Sequence, residues 1–344
     1  AVSAIPEGLP AVTSVTLALG VQRMVRKHAV IRRLPAVETL GSTTVICTDK
    51  TGTITRSQMT VRRIWSDLRM FRISGEGYQP QGRILTEDAQ PLESVPPALQ
   101  RLLQAGIMAN NATLRQTEGT WQVEGSPSEG ALLVVAGKAG LKDCNAEKDC
   151  SRIDEIPFSS RYKYMATLHT ADAGERVVWI KGAPEKILSF SSHILLNGKM
   201  VPLDERMRKE IRHAQHTLAD QAYRVMAGAW RQLPPETQHL EASHVESGLT
   251  FLGLWGIQDP PRAETADAVA AAYAAGIRPI MITGDHAATA MAIARQVGIK
   301  GRQEAVTGSE VDTLDKQDLA KRALETGVFA RVTPEHKLRI LEAL

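Results

Sequence analysis

Cysteine and aromatic residues are scarce in this 344-residue chain. Three cysteines, Cys47, Cys144 and Cys150, make an odd and sparse set. They exclude a disulfide-stapled scaffold and favour a reducing compartment. Fifteen aromatics, five each of Phe, Tyr and Trp, are few for a base-stacking platform. Charge of one sign is lacking too: 41 Lys and Arg against 38 Asp and Glu leave +3. A strongly basic nucleic-acid binder is excluded, and no nucleic-acid partner is expected. There is no internal repeat, no low-complexity tract and no G-x-x-x-x-G-K-[ST] phosphate loop. Gly75-Glu76-Gly77 does not complete a dinucleotide fingerprint, because Pro80 stands where its last glycine belongs.

What is present is an ordinary globular composition, long enough for about two domains. Ala1 to Val21 carries a single charge, Glu7, and is followed by Arg23, Arg26, Lys27, Arg32 and Arg33. An apolar stretch of that length with a basic flank reads as a bilayer crossing whose later end is cytoplasmic. A buried core helix with a basic end is the other reading, which Pro6 and Pro10 disfavour. The ending, Pro334 to Leu344, reads as a helix, and both ends of the chain look cut.

Thr43 to Thr48 is a short β-branched run expected to be a buried strand, with Asp49 at its carboxyl end. Open α/β sheets place their chemistry there. Residues 58–257 mix alternating stretches, such as Arg176 to Ile180, with helical ones, Pro97 to Ala109 and Asp204 to Ala222. They predict a separate α+β domain. From Asp259 the pattern becomes strand–helix: Glu264 to Ala275 helical, Ile280 to Thr283 a strand, Ala287 to Val297 helical, Val328 to Ala330 a strand. Such units predict a parallel, doubly wound sheet interrupted by a large insertion. Asp49 and Asp285 would then meet at one crevice. His213 and His216, i and i+3 on a helix, suit either a metal or a solvated face.

Asp49-Lys50-Thr51-Gly52-Thr53 sets a carboxylate at a strand end beside a Lys and a hydroxyl-rich turn. That arrangement suits nucleophilic attack on phosphorus, with Lys and magnesium screening the phosphoryl oxygens. This DKTGT run resembles the signature of P-type ATPases, within the haloacid dehalogenase superfamily. Further motifs in the same order strengthen the likeness: PEGLP (Pro6 to Pro10), Leu34-Pro35 with VETLG (Val37 to Gly41), KGAPE (Lys181 to Glu185), DPPR (Asp259 to Arg262), MITGD (Met281 to Asp285) and FARVTPEHK (Phe329 to Lys337). The resemblance covers essentially the whole chain.

The resemblance implies a haloacid-dehalogenase-like phosphorylation domain in two parts, residues 29–57 and 258–344. It also implies an inserted nucleotide-binding domain over 58–257 and a transmembrane-helix remnant with stalk over 1–28. Asp49 would form an aspartyl phosphate, beside Lys50. Asp49 and the Thr51 carbonyl would hold magnesium. Thr283 and Gly284 would hold the phosphoryl group and Lys337 would stabilise its charge. Asp285 and Arg262 would link the two domains. Phe158 would stack on adenine, with Glu129, Lys163, Lys181, Gly182, Arg224 and Arg331 about the nucleotide. Ser160 departs from the animal calcium-pump pattern, which has Arg there. Taken singly, Phe158 could be a core residue, Lys181-Gly182 a strand-to-helix turn, Glu129 a solvated residue in a helix capped by Ser128, and Asp285 a helix start.

The implied activity is ATP-driven cation transport in a bacterial inner or plasma membrane. ATP and magnesium would be the cofactors, and membrane lipid and the pump's remaining domains the partners. Residues after about 22 would be cytoplasmic. PEGLP looks most like calcium pumps. Glu7 with carbonyls freed by two prolines is a hard-oxygen site for the transported cation, and no Cys-Pro-Cys is present. The actuator TGE and the GDGxND motifs are absent, so the chain is expected to cover part of a pump, without turnover of its own. Two other functions compete: a soluble phosphatase with a large cap, and a nucleotide-binding regulatory module. The phosphatases usually carry D-x-D, whereas here the second position is Thr51.

Overall fold

The computed structural model describes residues 8–33, 35–141, 151–171 and 174–344. It is a mixed α/β chain with one parallel sheet, one large, mainly antiparallel sheet and a two-stranded hairpin of Thr113–Thr117 with Thr120–Glu124.

The parallel sheet has four strands, ordered Val45–Asp49, Arg278–Ile282, Val328–Ala330, Val306–Thr307. Alternation along Arg278–Ile282 sends Met281 to one face and Ile280 and Ile282 to the other. Met281 packs with Ala290, Ile293 and Val297 of the helix Ala287–Val297. Ile280 and Ile282 pack with Val311, Leu319 and Ile340 from three later helices. Helices thus cover both faces, as the strand–helix pattern predicts. The first strand differs from expectation. It lies at the sheet's edge and is half-buried, with Ile46 exposed, because only Arg278–Ile282 pairs with it. Asp49 lies opposite Ile282, so the two strand ends are side by side.

The large sheet runs from Thr60 to Gln258 and has ten strands. Its centre pairs Arg224–Leu233 with Leu249–Gln258, whose LTFLGLWGIQ run is buried through Ile257. Such a continuous apolar run fits a strand covered on both faces. Leu99, Leu102, Leu132 and Trp255 fill one core, and Ile180, Ile211, Leu218 and Phe251 the other. Helices form at Pro97–Met108 and Glu205–Asp220, the latter capped by the Asp204 carboxylate, which accepts from Met207 N.

Of the expected membrane span, Ala1 to Val21, residues 1–7 lie outside the described residues. The helix Leu9–Val25 has 17 residues, about 25 Å at 1.5 Å per residue, against a hydrocarbon core of about 30 Å. Among the described residues no helix is long and apolar enough to cross a membrane. Glu7, Pro6, Leu34, Cys144 and Cys150 lie outside the described residues.

Candidate functional site

Asp49 ends its strand, and the chain then turns through Lys50–Ile54, where Gly52 takes φ +76°. That left-handed value is cheap only for glycine. The turn folds back so that Thr51 N donates to Asp49 Oδ1 at 3.3 Å. The other oxygen, Oδ2, accepts from Lys337 Nζ at 2.5 Å, across 288 residues of sequence. Lys337 projects from the first turns of the helix Pro334–Ala343, which follows the strand Val328–Ala330.

Lys50 is buried. Its ammonium lies 2.6 Å from Asp285 Oδ2 and 3.7 Å from Asp259 Oδ2. Two carboxylates around one buried cation satisfy a charge that would otherwise be costly. Asp259 also accepts from Thr55 Oγ1 at 2.6 Å and Gln58 N at 3.1 Å. Thr283 is buried, and its hydroxyl oxygen accepts from Asp285 N at 3.1 Å. Asp285 O in turn accepts from Arg331 N, and Arg331 itself sits at φ +53°. Asp285 does not begin the following helix, which is preceded by His286.

A second set gathers on the large sheet. Phe158, Lys163, Lys181, Gly182 and Arg224 line a cleft of about 400 Å³. Phe158 is 61% exposed, so the core-residue alternative is excluded. Lys181 is 4% exposed and pairs with Glu129 Oε1 at 2.6 Å. Burial pushes its pKa down to about 8, although Glu129 opposes the shift. Glu129 is therefore not a solvated residue. Ser128 is not a cap either: the helix Pro127–Lys138 starts after Ser126, and Ser128 Oγ accepts from Arg224 at 3.3 Å. Gly182 pairs with Tyr164 across two strands. A Cβ there would lie 2.5 Å from Lys163 O, so only glycine lets the strands close.

A second cleft, about 340 Å³, lies between the two sheets. Lys50, Thr51, Asp259 and Asp285 form one wall, and Pro127, Tyr223 and Arg224 the other. Tyr223 and Arg224 line both clefts. The two expected groups of residues are therefore contiguous.

Of the expected residues, Asp49, Glu129, Thr283, Gly284 and Lys337 line neither cleft, and two arginines also lie elsewhere. Arg262 donates to the carbonyls of Gly52 and Thr53, bracing the turn after Asp49, and neither Arg262 nor Arg331 lines either cleft. Sequence reasoning missed Asp259 as a charge partner of Lys50, although its place at the end of the Leu249–Gln258 strand was a signal. It also missed Gln215, Ala219 and Tyr223 in the cleft wall. The i, i+4 spacing of the first two was the available sign.

Among the described residues no group of three His, Cys, Asp or Glu could hold a metal, which leaves His213 and His216 without partners for one. The Asp49 carboxylate and the Thr51 carbonyl are hard oxygens. They fit magnesium, which takes few protein ligands when phosphate and water supply the rest.

Residues 98–264 match the family model described as "P-type ATPase, cytoplasmic domain N". The whole chain aligns with "Cation-transporting ATPase pma1" of Synechocystis sp. at 44% identity, covering 38% of that protein. It aligns with "Calcium-transporting ATPase" of Bacillus subtilis at 39%, covering 38%, and with "Calcium-transporting ATPase type 2C member 1" of Homo sapiens at 38%, covering 36%. The chain thus spans well under half the length of these relatives. Matched from end to end by P-type cation-transporting ATPases, it is a stretch of that family's sequence.

Proposed function

We propose that this chain is the ATP-binding and phosphoryl-accepting part of an ATP-driven cation pump. The observation that carries the reading is the Lys337 ammonium 2.5 Å from the Asp49 carboxylate, next in the chain to Lys50 and Thr51, which line a cleft that shares Tyr223 and Arg224 with the Phe158–Lys181 pocket. Residues 29–57 and 258–344 form a haloacid-dehalogenase-like phosphorylation domain in this reading. Residues 58–257 form the nucleotide domain, and 1–28 a membrane helix and stalk.

The base of ATP lies against Phe158, with Lys163, Lys181, Glu129 and Arg224 around the nucleotide. Its phosphates run past Arg224 towards Asp49. A carboxylate oxygen of Asp49 then attacks the γ-phosphorus. The new carboxylate–phosphorus bond forms as the bond from that phosphorus to the β,γ-bridging oxygen breaks, and ADP leaves with its electron pair. Magnesium, held by Asp49 and the Thr51 carbonyl, would neutralise phosphoryl charge. Lys337 balances the charge that Asp49 carries before attack and that the phosphoryl oxygens carry after it. Lys50 holds Asp285, while Thr283 and Gly284 face the phosphoryl oxygens. Thr51 replaces the second Asp of D-x-D phosphatases, so that position offers no carboxylate to activate water against the acyl phosphate.

Calcium is the proposed cargo, supported by the names of two of the relatives, with Glu7 as a ligand in a membrane helix. An integral membrane location follows from that reading. The test is labelling of the full-length protein with γ-labelled ATP. Acid-stable, hydroxylamine-sensitive label is expected, and Asp49→Asn should abolish it while leaving nucleotide affinity within about twofold. Label surviving in Asp49→Asn overturns the assignment.

A further inference from the structure

We propose that His336 is a positioning residue for Lys337, locking the turn from which the ammonium reaches Asp49. The inference rests on the roles given above to Lys337 and Asp49.

His336 occupies the third position of the helix Pro334–Ala343, one residue before Lys337. Its backbone N–H donates to Thr333 Oγ1 at 3.4 Å, and Thr333 N–H donates to the ring Nδ1 at 3.1 Å. This reciprocal box satisfies two groups that a helix start leaves unpaired. An amide can only donate, so Nδ1 must offer its lone pair and the ring proton sits on Nε2. Nε2 lies 2.8 Å from Asp312 Oδ1, where that proton has an acceptor. Both ring nitrogens are thus committed, each in the only sense available to it.

Asp312 belongs to a different segment, Gly308–Thr313, and it too is held. Arg339, one turn beyond His336, approaches Asp312 Oδ1 at 4.0 Å and donates to Leu314 O at 2.9 Å. The ring lies against Gly308. A Cβ on Gly308 would stand 2.8 Å from Nδ1 and 2.3 Å from Arg331 O. His336 is therefore wedged between the Gly308 backbone and its own helix cap, with its side chain only 11% exposed.

The consequence falls on the next residue. Lys337 N donates to Thr333 O at 3.1 Å, the first bond of the same helix, so the turn that His336 fixes is the turn that aims Lys337. A long lysine stem has many rotamers, and its reach to Asp49 depends on where its Cα is held. Misplacement of a reacting partner by about 1 Å can cost about a hundredfold in rate.

The experiment uses the full-length protein and rapid-quench labelling from γ-labelled ATP, with ATP affinity measured separately. Asp312→Ala cuts the link at a side chain that is 62% exposed, so folding is preserved. It should slow phosphorylation at saturating ATP by about 10- to 100-fold while ATP affinity stays unchanged. Asp312→Asn keeps an acceptor oxygen for Nε2–H and should restore a rate near wild type. His336→Ala should be at least as slow as Asp312→Ala. His336→Asn, which can still accept from Thr333 N–H, serves if the alanine variant fails to fold, and it should be as slow as Asp312→Ala. Wild-type rates in both Asp312→Ala and His336→Asn overturn the proposal, as does ATP affinity falling in step with rate. Lys337→Ala is the separate control. If it labels at the wild-type rate, the role of Lys337 fails; if it is slow while the Asp312 and His336 variants are fast, only the present inference fails.

Discussion

Replacing Lys181 by methionine should remove a pH dependence of stability that the native chain carries in the alkaline range. Lys181 is buried at 4% exposure, and burial lowers its pKa from 10.5 to about 8 against the pull of Glu129. The folded chain therefore loses the proton at lower pH than the unfolded chain does. Between about pH 8 and 10.5 the unfolded state binds more protons, so stability rises with pH through that window. Below about pH 8 the cost of the buried charge is present in full. The difference of about 2.5 pKa units, at about 1.4 kcal/mol each, sets a rise of about 3 kcal/mol. Lys138, also pushed down to about 8 by burial, adds to the same window. Tyr164, raised to about 12 by burial, acts in the opposite sense but only above about pH 10. The measurement is denaturant unfolding from pH 7 to 10.5 for wild type, Lys181→Met and Lys181→Met/Glu129→Gln. The double variant removes the carboxylate that the single one strands. Wild type should gain about 3 kcal/mol more than either variant across the range. Nucleotide affinity should fall in wild type as pH passes about 8, because the anion's partner loses its charge. Parallel stability curves for all three proteins would refute the reasoning, since Lys181 would then titrate alike folded and unfolded.

Phe158→Ala should weaken ATP binding about 5- to 150-fold, on a scale of about 1–3 kcal/mol for base–aromatic stacking, as isothermal titration would record. Its 61% exposure predicts little change in melting temperature. Gly182→Ala should both destabilise the chain and weaken nucleotide binding, because the new Cβ meets Lys163 O at 2.5 Å; wild-type unfolding and affinity would contradict it. Arg262→Ala frees the carbonyls of Gly52 and Thr53 and should slow labelling at Asp49 more than it weakens ATP binding, as a rate-against-affinity comparison would show. Glu7→Gln in the full-length protein should raise or abolish the ion requirement for labelling from ATP while leaving labelling from inorganic phosphate intact. Unchanged ion dependence would exclude Glu7 as a ligand.

The strand–helix alternation after Asp259 was legible because each unit carries its own signal. Ala287–Val297 has an apolar stripe and a glycine stop, and Gly298 does sit at φ +82°. The edge position of Val45–Asp49 was not legible. A β-branched run looks the same with one neighbouring strand or two, and sheet order is a long-range property. Among site residues, those fixed by local chemistry were readable: Asp49, Lys50 and Gly52 follow one another, and a strand end with a hydroxyl-rich turn announces itself. Lys337 was readable only through motif resemblance, since 288 residues separate it from its partner. The alternative of a helix capped by Ser128 fails because helix starts shift by a residue or two without visible change in sequence, and the cap position falls on Ser126. Asp204, by contrast, was placed within a helix that it caps.

The contact between the two sheets also explains why Asp259 was not read as a charge partner of Lys50. A carboxylate followed by two prolines reads as a strand terminator, and here the prolines do stop the strand. The same residues also tie the two chain crossings together. Thr55 bridges Pro261, Arg56 N donates to Pro260 O, and Arg262 N donates to Ile54 O at 2.9 Å. Asp259 fastens this tie from within by accepting from Thr55 Oγ1 and Gln58 N. Its Oδ2 then faces Lys50, whose ammonium holds Asp285. The segment joining the sheets and the charges beside Asp49 are thus linked by one continuous set of hydrogen bonds and ion pairs. That coupling needs the chain to cross twice at the same place. A sequence read in one direction shows each crossing separately and gives no sign that they meet.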